Sequence, residues 1–390
     1  MGYPFTLEDV GFLRSAAGAD ALSAADGRPL SEASRLSDVD FVRRAVGPRF
    51  AAAVLETAVL RRRAASKVDG AAGWLFTDAA LQQASASPVA AHRASRLAGR
   101  DVHDVTCSIG ADLAAVAPVA RRAIGSDLDP VRLAMAGHNL RGSGALLAVA
   151  DALHPVSRDT VVFADPARRD DAGKRRWRLA DFEPPLNALA SVYSGRPLVV
   201  KCAPGMDFVL APWASEVELV SLDGDVREAT MWSAALATPG VRRRATVLST
   251  QAPQWTVTDA EPDDCPVRPP GQWLVNPDGA VVRAGLVRQY GTGHGLGLLD
   301  ARIAYLTGDT PPAGVRSFRI LEHGHYSEKE LRAALRRRGV GSVEILVRGL
   351  DVDPNALRPR LRLRGDESLT VVLTRIGHTP TAFVCQPERH

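Results

Sequence analysis

The chain has 390 residues, 46% of them hydrophobic, and a formal net charge of +4; this is long for one domain, comfortable for two or three, and apolar enough for full cores. Its four cysteines, Cys107, Cys202, Cys265 and Cys385, are widely spaced with no C-x-x-C, which argues against a zinc site or a disulfide framework and for a reduced, cytosolic setting. The opening MGYPFTLEDV carries no basic leader, and no run of eighteen apolar residues occurs, so neither export nor a membrane span is expected.

Residues 1–98 read as a helical N-terminal domain rich in Ala, Leu and Arg. Thr6 and Glu8 mark a helix start, and Phe50 to Ala64 is strongly helix-forming. The last part, WLFTDAALQQASASPVAAHRASRLAG, leads directly into a strand.

Residues 99–250 read as a core in which four apolar runs end in small or acidic residues, separated by helix-compatible sequence. They are DVTCSIGAD (Asp104 to Asp112), AIGSDLDP ending at Asp127 and Asp129, LLAVADAL ending at Asp151, and TVVFADPARR ending at Asp165-Pro166-Ala167-Arg168. This order predicts a doubly wound α/β sheet whose ligand lies at the carboxyl ends of its strands. Ser108, Gly110 and Ala111 leave room for close backbone approach. Asp127, about twenty residues on, is placed for two ribose hydroxyls, and Asp151 for an adenine amino group. The dinucleotide fingerprint G-x-G-x-x-G is absent, and Asp112 stands where a pyrophosphate would lie. A positively charged sulfonium suits such a pocket better, so S-adenosylmethionine is the expected ligand.

Three further strands are expected, from Pro197, from Glu216 and from Arg242, giving a seven-stranded sheet with an antiparallel last strand. Residues 251–314, rich in Pro and Gly, read as a connector packed on the core, with helix-compatible stretches at PDGAVVRAGLVRQYG and around LGLLDARIAYLTG. Residues 315–390 alternate as β-α-β-α-β-β, with a capping box at Ser327 and Glu330. Between residues 311 and 390 there are fourteen Arg or Lys against nine Asp or Glu, with runs at Arg336-Arg337-Arg338 and at Arg358, Arg360, Arg362 and Arg364.

On DVTCSIGAD, SDLDP, His138-Asn139, ADAL and DPARR, the chain resembles the class I S-adenosylmethionine-dependent methyltransferases. More narrowly it resembles a bacterial group of RNA methyltransferases with a C-terminal THUMP-like domain. The resemblance extends over most of the chain. It implies a Rossmann-like core, S-adenosyl-L-methionine as cofactor and RNA as partner. It also implies donor contacts from Asp104, Cys107, Ser108, Gly110, Asp127, Leu128 and Asp151. A family pattern T-x-x-x-L-x-Q-A before the core matches Thr77, Leu81, Gln83 and Ala84, which adds Gln83 to the donor side. The family usually reads C-G-x-G in the first loop, where Ser108 replaces the first Gly.

The acceptor side departs more. Enzymes that methylate exocyclic base amines carry [D/N]-P-P-[Y/F/W], whereas this chain keeps Asp165 and Pro166 but has Ala167 and Arg168. Asp165, Pro166 and Arg168 are the candidate catalytic residues, Asp165 as the group that orients or deprotonates the nucleophile. A competing expectation is C5-pyrimidine chemistry with Cys202 as nucleophile, by likeness of Lys201-Cys202-Ala203-Pro204 to S-C-N-P. A third is a non-catalytic RNA-binding protein that keeps the fold, motivated by Ser108, Ala167 and Arg168. Arg168, Arg169, Lys174, Arg175 and Arg176, with Trp177, form a basic segment suited to looped RNA. No metal is expected at Glu322, His323 and His325.

Overall fold

The computed structural model describes residues 2–168, 182–206, 208, 211–313 and 315–389. They fall into two compact units, Met1–Val217 with Arg227–Thr238, and Glu218–Val226 with Pro239–His390.

The first unit begins with α1 (Leu7–Leu13), α2 (Ala16–Asp26) and α3 (Arg35–Ala64). Thr6 caps α1 through a reciprocal pair with Asp9, so the acidic partner is Asp9 rather than Glu8. Gly47 at φ 77° and Pro48 break α3 into two segments, because a left-handed residue followed by proline ends one helix and opens the next. The helical region does not keep its core to itself. Val54, Leu60, Leu75 and Phe76 pack in one buried cluster with Ile109 and Met135 from the sheet-bearing part.

Two short helices follow, α4 (Asp78–Gln83) and α5 (Ser87–Ser95), and then the sheet. Its first strands are β1 (Asp101–Asp104), β2 (Arg122–Asp127), β3 (Leu146–Val149) and β4 (Val161–Ala164). Helices α6 (Ala111–Val116) and α7 (Pro130–Asn139) connect β1 to β2 and β2 to β3. Asp129 caps α7 and Pro130 opens it. A two-residue ladder, β5 (Ala167–Arg168) with β6 (Phe182–Glu183), precedes α8 (Leu186–Val192) and β7 (Leu198–Cys202). Strands β1, β2, β3, β4 and β7 pair in parallel. The central β4 and β7 are buried at every position, as strands covered on both faces must be.

The stretch expected as a single sixth strand is a hairpin, β8 (Ala214–Leu222) and β9 (Asp225–Ser233). Its turn is Asp223-Gly224, both at positive φ. Asp-Gly between two apolar runs is a strong hairpin signal, and it outweighs the continuous reading. The sheet runs β11-β10-β8-β9-β7-β4-β1-β2-β3 with β10 (Arg243–Leu248) and β11 (Trp255–Thr258), nine strands where seven were expected. Strand β9 lies antiparallel to β7.

The second unit, besides the far half of that hairpin and β10 and β11, is built on a seven-stranded sheet. Residues 251–314 were read as a connector, yet they supply β12 (Trp273–Val275), β13 (Gly297–Asp300) and β14 (Ile303–Gly308) to this sheet, beside α9 (Gly279–Arg283) and α10 (Val287–Gly293). The stretch read as helical around Leu298 is the hairpin β13–β14. A short apolar run has no decisive period, and here the tight turn closed by Asp300, whose carboxylate accepts from the Arg302 N–H at 2.7 Å, settles the outcome. The remaining elements are β15 (Arg316–His325), α11 (Glu328–Arg337), β16 (Val340–Val347), α12 (Pro354–Arg360), β17 (Glu367–Ile376) and β18 (Thr379–Arg389). They form the β-α-β-α-β-β unit read from the sequence, and Leu331, Leu335, Val371 and Val384 fill its core.

Candidate functional site

A cavity of about 560 Å³ lies within the first unit at the carboxyl ends of β1, β2, β3 and β4. Its described lining includes Cys107, Ser108 and Asp112 after β1, Asp127 and Leu128 at β2, Asp151 after β3, and Asp165 and Ala167 after β4. Helix α4 supplies Ala80, Gln83 and Ala84, and the segment after β6 supplies Pro184 and Pro185. Carboxylates dominate the polar lining: Asp112, Asp127, Asp129, Asp151, Asp165 and Glu183, against the guanidinium of Arg132. Such a field repels phosphate and favours a cation.

Ser108, in place of the family's glycine, sits at φ 49°, in the left-handed region. For a residue with a Cβ this costs on the order of 1 kcal/mol. The Ser108 N–H donates to Asp127 Oδ2 at 2.8 Å, a charge-assisted bond worth roughly 1.5–3 kcal/mol, so the hydrogen bond outweighs the strain. Asp127 Oδ1 accepts from the Asp129 N–H at 2.8 Å. Asp127 thus ties the first loop to the second strand while lining the cavity. The buried Ser108 hydroxyl has no hydrogen-bond partner among the described residues.

His138 and Asn139 are not part of the described lining and bond the segment before α4 and the first loop. The Asn139 amide donates to the carbonyls of Leu75 and Ile109 at 3.0 and 2.9 Å, and its oxygen accepts from the Leu75 N–H at 2.8 Å. One side chain therefore pins the segment before α4 to the first loop. His138 Nε2 lies 2.9 Å from the Gly73 carbonyl, in the same segment.

Asp165 is positioned by two contacts. Its N–H donates to Thr106 Oγ1 at 2.7 Å, and its Oδ2 accepts from Lys201 Nζ at 2.6 Å. Lys201 also donates to the Gln83 carbonyl at 3.1 Å and stands 3.5 Å from Asp112 Oδ2. Behind them, the buried Arg93 bridges Asp112 and Glu228. Burial raises the Asp165 carboxyl above the usual range even against the pull of Lys201. Burial pushes Asp112 the same way, but Arg93 and Lys201 together hold it below its ordinary value.

Several expected site residues lie elsewhere. Asp104 is buried below the cavity, bonded to the Thr106 N–H at 3.1 Å, with burial and then Asp112 raising its carboxyl well above the ordinary value. Gly110 caps α6 at φ 83°, a left-handed conformation that favours glycine, and a Cβ there would meet Leu140 Cδ1 at 2.8 Å; it is not part of the described lining. Pro166 is buried and does not line the cavity. The side chain of Arg168 and the basic segment from Arg169 to Trp177 lie outside the described residues.

Cys202 is 6% exposed, absent from the lining, and its thiol donates to the Ala229 carbonyl at 3.5 Å. Burial pushes that thiol far up, and the neighbouring Lys201 is hydrogen-bonded to Asp165. Cys202→Ser is accordingly expected to leave methyl transfer within about twofold of wild type, since a structural thiol contributes packing and not a covalent adduct. A loss of several orders in a steady-state assay would restore the nucleophile.

The Asp165 partner and the ring behind it were missed. Lys201 carried a signal: a lysine inside the wholly buried run LVVKC must find charged partners. Arg93, on a short helix, and Glu228, in a strand, carried none that separates them from solvated charges.

A model described as THUMP domain-like matches residues 315–387, and a domain of unknown function matches residues 6–64. Two curated relatives, named uncharacterized S-adenosylmethionine-dependent methyltransferases of Mycobacterium tuberculosis strains CDC 1551 / Oshkosh and ATCC 25618 / H37Rv, are each 56% identical over 352 residues, covering 86% of this chain and 97% of theirs. The chain belongs to the S-adenosylmethionine-dependent methyltransferases, and S-adenosylmethionine is the cofactor of that family. A crystal structure from Porphyromonas gingivalis W83, named there only as a candidate methyltransferase, shares the fold with a TM-score of 0.77 at 19% identity, covering 99% of this chain and 100% of that one. The residues present fit the cofactor: carboxylates for a cationic, diol-bearing ligand, and a buried unpartnered hydroxyl at Ser108.

Proposed function

We propose that this chain transfers a methyl group from S-adenosylmethionine to RNA, with Asp165 as the residue that handles the acceptor. The observation that carries the donor half is the acid-lined cavity at the strand ends. Asp127 would take the ribose hydroxyls, Asp151 the adenine amino group and Leu128, exposed at 65%, would cover an adenine face. Gln83, Cys107 and Ser108 would line the methionine end. When bound, the donor supplies a methyl group already activated on a positive sulfur, so the protein's part is chiefly alignment. Asp165, held by Lys201 through Oδ2, presents its other oxygen as an acceptor for a proton of the nucleophile.

The RNA half rests on the THUMP domain-like match and on the arginine runs of the second unit. Some of these arginines already have internal partners. Arg337 and Arg338 share Glu322 at 3.0 and 2.6 Å, and Arg360 lies 3.6 Å from Glu328. These are exposed or half-exposed pairs, worth about 1 kcal/mol or less, which a phosphate can displace.

The direct test is transfer of labelled methyl from S-adenosylmethionine into total RNA from cells lacking the gene, followed by nucleoside mass spectrometry. Label confined to the small-molecule fraction would overturn the RNA reading. Replacing Arg336, Arg337 and Arg338 by alanine should weaken RNA binding, and each lost phosphate contact should reduce the slope of log affinity against log salt by roughly 0.7–0.9. Gel-shift titrations at several salt concentrations check this. Equal slopes for both proteins would remove the charge argument.

A further inference from the structure

We propose that Lys201 is a positioning residue for methyl transfer, one ammonium that locks the Asp165 carboxylate to the carbonyl end of α4. The proposal rests on the assignment of Asp165 to the acceptor and deepens it. Lys201 comes from a wholly buried strand and is itself 8% exposed, so its hydrogen bonds are not shared with solvent. It reaches Asp165 Oδ2 at 2.6 Å on one side and the Gln83 carbonyl at 3.1 Å on the other.

Gln83 is the last residue of α4, and Lys67 donates to the two preceding carbonyls, Leu81 and Gln82, at 2.9 and 3.0 Å. The end of α4 is thus closed by two lysines, and only Lys201 continues to the acceptor carboxylate. Helix α4 lines the cavity through Ala80 and Gln83, and Asp165 lines it from β4. Lys201 therefore fixes the distance between these two walls.

Its charge sets the state of Asp165 as well as its place. Asp165 accepts no other side-chain hydrogen bond among the described residues, while Asp112 adds a second negative charge near the same ammonium. Without Lys201, burial and Asp112 both favour the protonated carboxyl, which no longer accepts a proton from the nucleophile. Asp112 does not take over the role, since Arg93 holds it within the buried ring.

The test uses the full chain with Lys201→Met, Lys201→Arg and Asp165→Asn. Lys201→Met should lower methyl transfer into total RNA at neutral pH by on the order of tenfold or more and move the acidic limb of the pH–rate profile to higher pH. Lys201→Arg should restore most of both. S-adenosylhomocysteine affinity by calorimetry should stay within threefold in all three. A limb that does not move, or affinity and rate that fall together, would overturn the proposal.

A second readout needs no acceptor and covers the case in which the methionine variant folds poorly or RNA proves not to be the substrate. The Asp165 carboxyl carbon, assigned by loss of its signal in Asp165→Asn, is titrated by carbon-13 NMR in wild type and in Lys201→Arg. An intact pair predicts a titration that keeps its midpoint with Arg. It also predicts an upward shift in Lys201→Met wherever circular dichroism shows that variant folded. If wild type methylates no RNA but the midpoint shifts as described, the RNA assignment fails and the role of Lys201 stands. A midpoint indifferent to residue 201 removes it.

Discussion

Replacing Asp165 by alanine is expected to lower the rate of methyl transfer by at least about a hundredfold, while S-adenosylhomocysteine affinity stays within a few fold. The asymmetry follows from where the carboxylate sits. It lines the cavity after β4, which β1 separates from the strand that ends in Asp127, and in the proposed role its interaction with the nucleophile is the one that changes as the proton leaves. Because burial holds its carboxyl above the usual range, the wild-type rate should fall on acidification at a pH higher than an exposed aspartate would give. Single-turnover kinetics across pH, with calorimetry on the same protein, measure both quantities. Parallel loss of donor affinity and rate would show that Asp165 serves the cofactor.

Asp127→Ala is the second large effect. A carboxylate that accepts two ribose hydroxyls contributes about 2–3 kcal/mol through charge-assisted bonds, so donor affinity should fall roughly 30- to 150-fold. The same carboxylate anchors the Ser108 and Asp129 amides, and its removal also frees a loop residue from a left-handed conformation it does not prefer. Asp127→Asn should rescue little, because an amide has one acceptor oxygen where both carboxylate oxygens are used. Calorimetric titration with S-adenosylhomocysteine decides it; a loss below threefold for the alanine variant would mean that the diol lies elsewhere.

The edge that bears the cavity was legible because each parallel strand is an apolar run that stops at a small or acidic residue, and the ligand edge of such a sheet is where the runs stop. Asp127, Asp151 and Asp165 were found on that rule. It could not separate residues that line the cavity from those just below it, since Asp104 and Asp127 both close a strand and differ only in depth. The Asp165–Lys201 pair joins residues thirty-six apart on neighbouring strands, a distance set by pairing of β4 with β7 rather than by any local pattern. In the second unit, β13 and β14 were hidden because runs of four and six residues have no decisive period, and the other partner of β14 is β12, which precedes the hairpin across two helices.

The described lining of the cavity begins at Ala80 and ends at Pro185, and Asn139 ties its earliest segment to its first loop. The described residues that line this cavity thus come from one stretch of chain, with the strand bearing Lys201 following closely. During synthesis, which proceeds from the N-terminus and lets domains fold as they emerge, these residues leave the ribosome before most of the second unit has been made. The first unit is completed by Arg227–Thr238, which supplies β9 beside β7 and Glu228 beside Arg93, and a cofactor bound in the cavity would add its binding free energy to the stability of that unit.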